Sequence, residues 1–315
     1  METSTSTPKE AAEDVSPSKC SLKIASMNIA GCVPSKSAND WTRQQSEEAI
    51  RQEILNTDPD VIALQECRGG ENWAKRLFPS YQFMGSVYSH MDLVMLLVKQ
   101  GISAEPVSLH GKHLPAVIAK MDLGDGQNLL VASVHLAPFA SGANQRLYEM
   151  ESLLDKAYYH SLPMLIAGDT NMRVAEDETM ENHLKLEDVW KAAGSDIQTK
   201  FTWNTKDNRK ENKGFNRFYG DGTREYNARY DRIYMYGNGF VEIENEGTTF
   251  DLIASKPVNG NELHFLSDHF GMTAQINFEW DEGKRKRLQE ETKKDDVYQF
   301  STPVKKQNIT LQDLN

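Results

Sequence analysis

At 315 residues, with 39% hydrophobic and 26% charged positions, the chain has the composition of a soluble globular protein with one sizeable core. Its longest strongly apolar run, residues 93–98 (LVMLLV), falls far short of the ~20 residues that span a bilayer, and METSTSTPKEAAEDVSPSK lacks a signal-peptide pattern, so neither a membrane-spanning nor a secreted protein is expected. The net charge is −11; setting aside four acids and two bases in residues 1–21, and seven acids and eight bases in 281–315, leaves 35 acids against 25 bases, which argues against gripping long duplexes through phosphate contacts.

Residues 1–21, rich in Ser, Thr, Pro, Glu and Lys, read as a disordered N-terminal tail. LKIASMNIA (22–30) is apolar and extended, and residues 40–56 carry Ile50, Ile54 and Leu55 at helical spacing. VIALQE (61–66) is a short continuous apolar run of the kind buried on both faces of a sheet. YQFMGSVYS and LVMLLVK follow as strands. Gly124-Asp125-Gly126 then separates two strand-like runs, a hairpin signal. Residues 143–160 look helical and lead into PMLIAGD. RYDRIYMY (229–236), FVEIENEGTTF and GMTAQINF are strand-like again. From Asp281 charge blocks alternate without a core pattern, so 22–280 reads as the folded domain and 281–315 as a charged C-terminal tail. Within that tail KRKR (284–287) is a weak nuclear-targeting candidate. Cys20, Cys32 and Cys67 show no metal-ligand spacing and fit a reducing compartment, cytosol or nucleus. Hairpins mixed with helices predict an α/β (α+β) fold of two packed sheets flanked by helices.

Polar residues recur where these apolar strands end: Asn28, Glu66, His135, Asp169 with Asn171, Asp231, and Asp268 with His269. In LIAGDTNMR (165–173), Asp169 and Asn171 stand two positions apart and would share one strand face if extension continued. Any one of these residues has a bland reading, since strand-end Asp and Asn commonly bond their own turn backbone. Six such ends in one chain exceed what turns require. Strand ends on one sheet edge converge, and Glu and Asp oxygens without a Cys or His cluster suit a hard cation, Mg2+ or Mn2+. With an amide and two imidazoles beside it, such a cation suits phosphate-ester hydrolysis.

The ordered set MNIAG, LQE, VHL, GDTN, ARYDRI and LSDHFGM resembles the endonuclease/exonuclease/phosphatase superfamily of magnesium-dependent phosphodiesterases, across roughly residues 22–280. Within it, GDTNMR and FTWNTK (201–206) are most similar to the tyrosyl-DNA phosphodiesterases that release protein from 5′ DNA ends. The resemblance implies a four-layered α/β sandwich acting on a 5′ DNA end that bears a tyrosyl peptide; the acidic body favours a short single-stranded segment there, and nothing in the sequence suggests more than a monomer. The resemblance also implies that Glu66 binds the metal with Asn28 beside it, and that Asp268 supports the metal and its waters. It further implies that Asp169 orients or deprotonates water, Asn171 holds that water or a phosphoryl oxygen, and His269 donates to the phosphate. Asp231 would fix a histidine tautomer, and His135 would lie against the phosphate. VHLAP departs from the subfamily with Ala137 and Pro138 where polar residues are more usual, and GDTNMRV lacks an acid directly after Arg173.

For substrate binding, residues 205–232 hold eight Lys or Arg and five aromatics, a candidate base-stacking surface that includes Lys206, Arg209 and Arg229. Trp203 is the candidate wall for the terminal nucleotide. Arg173, on the same face as Asn171 if the strand continues, is a candidate bidentate phosphate partner. Ordinary surface charge and a core-packing tryptophan are the competing readings.

Overall fold

A computed structural model describes residues 17–33, 41–89, 92–108, 114–204, 227–256, 258 and 265–288. Its architecture follows from where the continuous apolar runs lie. The run at 61–67 becomes a central strand, β2, flanked on one side by the strand made from 18–28 and on the other by that made from 92–99. In spatial order the first sheet is β13 (Val241–Ile253), β14 (Gly271–Trp280), β1 (Ser18–Asn28), β2 (Val61–Cys67), β4 (Asp92–Lys99) and β3 (Tyr81–Ser89). The second is β5 (Ser103–Val107), β6 (Ala116–Asp122), β7 (Asn128–His135), β8 (Met164–Asp169), β12 (Asp231–Tyr236) and β9 (Glu187–Asp188). A two-stranded ribbon, β10 (Trp203–Asn204) with β11 (Asn227–Ala228), stands apart from both.

Each sheet contains one parallel pair, and each pair is joined through a helix on the outer face. The β1 and β2 strands are linked through α1 (Arg43–Leu55), and β7 and β8 through α3 (Ala143–His160). α1 starts where Thr42 and Gln45 form a reciprocal capping box. Along β1, alternate residues face opposite layers: Leu22 and Ile24 join the core between the sheets, whereas Ala25 and Met27 pack beneath α1 and α2 (Glu71–Leu77). α3 covers the other sheet through Met150, Leu153 and Ala157. The result is the expected four-layered sandwich, helix, sheet, sheet, helix.

Two expectations shift in detail, and a third falls outside the described residues. The first strand begins at Ser18, inside the expected N-terminal tail, because its backbone pairs with β14 as far as Ser18 opposite Trp280. Residues 282–288, the start of the expected C-terminal tail, are helical, and the KRKR segment lies on that turn of helix. Lys206, Arg209 and most of the basic stretch lie outside the described residues. Among the described residues, no helix is long and apolar enough to cross a membrane.

Candidate active site

Parallel neighbours end on the same side of a sheet, so the two parallel pairs present their carboxyl ends at one rim, the place where open α/β sheets bind ligands. From the first pair come Asn28 and Glu66; from the second come His135 and Asp169, which are direct register partners. Asp231 lies opposite Asp169 on the antiparallel β12. Gly168 permits the close approach: at φ +150° a side chain there would put its Cβ 2.0 Å from the Val134 carbonyl oxygen. The buried Gln65 amide donates to Ser133 Oγ at 3.2 Å and ties the two sheets together just below this rim.

Asn28 is the hub. Its Nδ2 donates to Glu66 Oε1 at 3.0 Å and to Asp169 Oδ2 at 3.1 Å, while its Oδ1 accepts the Ala30 N–H at 3.1 Å, which fixes the amide orientation. Glu66 sits at φ +55° where the pairing of β2 with β4 slips, so a bulge turns its carboxylate toward the rim. Asp169 Oδ2 also lies 3.5 Å from His135 Nε2 and 3.7 Å from His269 Nε2. His269 Nδ1 is 2.8 Å from Asp231 Oδ2, the carboxylate–imidazole pairing anticipated for Asp231. Ser267, which sequence reasoning passed over within LSDHF, donates to the Asn28 carbonyl at 2.8 Å and accepts the His269 N–H at 3.3 Å. A small hydroxyl two residues before a strand-end histidine was the available signal. Thr202 Oγ1, also passed over, accepts the Asp231 N–H at 3.1 Å.

Burial alone pushes the Asp169 carboxyl up, but His269, His135, the Asn28 amide and the Asn171 N–H outweigh it and hold the group below the ordinary aspartate range. Burial likewise disfavours a charged His269, yet Asp231 and Asp169 outweigh it and hold the imidazole well above its ordinary value. At neutral pH the site therefore pairs an ionised Asp169 with a cationic His269. Asp268 behaves differently. Burial pushes its carboxyl up to about 6, with His269 opposing and Glu66 and Asp169 reinforcing the rise.

The Asp268 shift bears on the metal. Asp169, Asp231 and His269 bring ligand-type atoms within 4.8 Å of one another, but His269 Nδ1 is already engaged by Asp231. The Glu66 carboxylate adds to the cost of ionising Asp268, and a divalent cation held beside the two would relieve that cost. Carboxylate oxygens of this kind suit a hard, partly hydrated cation, and Glu66 and Asp268 are the two that the resemblance assigns to it.

Other expected residues land differently. Asn171 does not continue the strand; β8 stops at Asp169 and Asn171 turns to φ +52°. Its N–H closes an Asx turn onto Asp169 Oδ1 at 3.0 Å, and its Nδ2 donates to the Leu136 carbonyl at 3.2 Å. The pair thus meets at the rim through a turn instead of a shared strand face. Arg173 consequently loses the expected alignment; its guanidinium lies 4.7 Å from the Tyr230 ring centre and bonds the Asn171 carbonyl. Trp203 is buried, with its ring edge-on to His269 at 4.9 Å, so it braces the imidazole and does not stand as an exposed wall. Arg229 is also turned inward: it forks onto Asp188 and stacks 4.7 Å from the Trp190 ring centre.

A strand-end carboxylate, amide and imidazole set on a double-sheet sandwich defines a class. The model of the Endonuclease/Exonuclease/phosphatase family matches residues 25–269, and the chain belongs to that family. Over 200 residues it is 26% identical to the 5′-tyrosyl-DNA phosphodiesterase of Caenorhabditis elegans, a stretch covering 60% of this chain and 52% of that protein. The chain thus matches about half the length of that relative. Among solved structures it resembles selenomethionine TDP2 from Caenorhabditis elegans (TM-score 0.61, 21% identity, 82% of this chain and 74% of that one). It also resembles TDP2 from D. rerio complexed with a single-strand DNA product (TM-score 0.60, 20% identity, 82% and 98%). These likenesses establish the shared fold.

Proposed function

We propose that the protein is a magnesium-dependent phosphodiesterase, with manganese able to substitute, that hydrolyses the 5′-phosphotyrosyl bond between a DNA end and a protein and leaves a 5′-phosphate for repair. The observation that carries this reading is Asn28 bridging Glu66 and Asp169 while Asp169 faces two histidines. Asp169, kept ionised by its neighbours, aligns a water and takes its proton for in-line attack on phosphorus. His269, kept cationic and oriented by Asp231, donates from Nε2 to a phosphoryl oxygen as negative charge builds. His135 lies beside Asp169 to receive the same phosphate, and Asn28 holds the two carboxylates in register. A cation held by Glu66 and Asp268 supplies charge neutralisation at the phosphoryl oxygens when bound.

The similarity to a relative named 5′-tyrosyl-DNA phosphodiesterase supports the choice of linkage. The acidic body supports a short single-stranded 5′ end over a long duplex, because few phosphate contacts are then needed. A monomer acting in the nucleus or cytoplasm completes the proposal. The test is to incubate purified protein, with and without Mg2+, with a 5′-tyrosyl oligonucleotide, an abasic duplex, poly(A) and an inositol phosphate. Mg2+-dependent release of tyrosine from the first is expected; turnover of another substrate with the first untouched would overturn it.

A further inference from the structure

The segment that leaves β7 after His135 is fastened at nearly every peptide. Ser89 Oγ donates to the His135 carbonyl at 2.7 Å, and the Leu136 N–H donates to the Asp169 carbonyl at 2.9 Å. Asn171 holds the Leu136 carbonyl, and the Ala137 N–H donates to Glu149 Oε2 at 3.0 Å. Fully buried Arg146 donates through Nη1 to the carbonyls of both Ala137 and Phe139, at 2.7 Å each. The rest of its guanidinium forks onto Glu176 at 2.7 and 2.8 Å. Glu176 in turn accepts the Arg173 N–H at 2.9 Å, so one buried ion pair fixes this segment against the turn that follows Asn171.

These fastenings hold Phe139 at φ +65°, ψ +162°, a region almost confined to glycine. Yet the residue is 63% exposed. Nothing in the backbone arrangement needs an aromatic ring there, and glycine would adopt the conformation without strain. A bulky residue kept in a strained conformation, with its side chain out in solvent and on a segment rooted at the site, is what a substrate contact looks like.

We infer that Phe139 is a specificity-determining residue whose ring stacks on a flat aromatic group at the scissile end of the substrate. The inference rests on the proposed phosphodiesterase reading. Two groups share that chemistry, the departing tyrosyl ring and the 5′-terminal nucleobase, and removing each in turn tells them apart. Arg146 and Glu176 act as positioning residues for the ring.

The experiment compares wild type, Phe139→Ala and Phe139→Gly on three substrates: the 5′-tyrosyl oligonucleotide, a 5′-alkyl phosphodiester of the same oligonucleotide, and a 5′-tyrosyl oligonucleotide with an abasic first nucleotide. On the first, both variants should raise KM by about 10-fold or more with kcat nearly unchanged. That ratio to wild type should vanish on whichever substrate lacks the stacking group. Phe139→Gly should also melt no lower than wild type, and higher by about 2 °C or more as strain is released, a shift opposite to that of a structural residue. An unchanged KM on all three substrates would overturn the inference while leaving the proposed reaction intact. A KM penalty that persists on both truncated substrates, or a lowered melting temperature for Phe139→Gly, would overturn it as well. A wild type inert toward the tyrosyl oligonucleotide would remove the proposed reaction itself, and this inference with it.

Discussion

Strand β12 separates two polar clusters that are built from similar residues and behave in opposite ways. Asp231 and Arg232 are adjacent and point to opposite faces. On the Asp231 side, four carboxylates (Glu66, Asp169, Asp231, Asp268) meet two imidazoles, and burial, opposed by His269 and reinforced by Glu66 and Asp169, drives Asp268 up to about 6. On the Arg232 side, Arg229 and Arg232 meet Asp177 and Asp188 in equal number, with Arg232 also donating to Tyr234 Oη at 3.0 Å. One cluster is electrically closed and the other is short of positive charge. The closed cluster is matched within the fold; the open one is the site proposed for a cation and a phosphate. Balance of charge, and not the presence of charged residues, separates structure from chemistry here.

The sharpest way to break this comparison is to neutralise one member of each cluster. Asp169→Asn and His269→Ala should each lower kcat/KM on the 5′-tyrosyl oligonucleotide by about 1000-fold or more. Turnover near the wild-type level in either variant would take that residue out of the reaction.

On the other face the loss should appear as stability. Arg229→Ala leaves Asp188 buried and unpaired, a change that costs about 3–5 kcal/mol in denaturant unfolding. Retained stability with a raised KM would instead restore Arg229 to the substrate surface.

The smallest effect concerns protons. A folded-state value of about 6 for Asp268 lies above its ordinary value, so the folded protein binds this proton more tightly than the unfolded chain. This group's contribution to stability is therefore full at low pH and falls as pH rises from about 4 to about 6. A cation bound at Asp268, as proposed, would compete with that proton. Millimolar Mg2+ should raise the melting temperature by a few degrees near neutral pH and by less near about pH 5. Equal shifts at both pH values, or an undiminished difference in Asp268→Asn, would detach Asp268 from the cation.

How far the sequence carried depended on whether a residue's role was decided locally. Strand ends were legible because apolar runs end abruptly in Asn28, Glu66, His135 and Asp169, and parallel packing then gathers such ends without further information. Backbone turns were not legible: the left-handed Glu66 and Asn171 ended or bulged strands that the apolar pattern would have continued. Arg229 was misplaced for another reason. Its partner Asp188 lies 41 residues earlier on a neighbouring edge strand, and a basic stretch read in isolation cannot show that its charge is already matched. Trp203 belongs to the same case, since its ring packs against Tyr230 and His269, both distant in the chain. Val174 stands directly after Arg173, and the nearby Glu176 accepts the Arg173 N–H.

The open cluster's need for a cation is tested most directly by titrating Mn2+ into the wild type and Glu66→Gln and following free Mn2+ by electron paramagnetic resonance. Saturable binding by the wild type, weakened by about 10-fold or more in Glu66→Gln, is the predicted result. Identical binding by both proteins, or none by the wild type, would contradict the account.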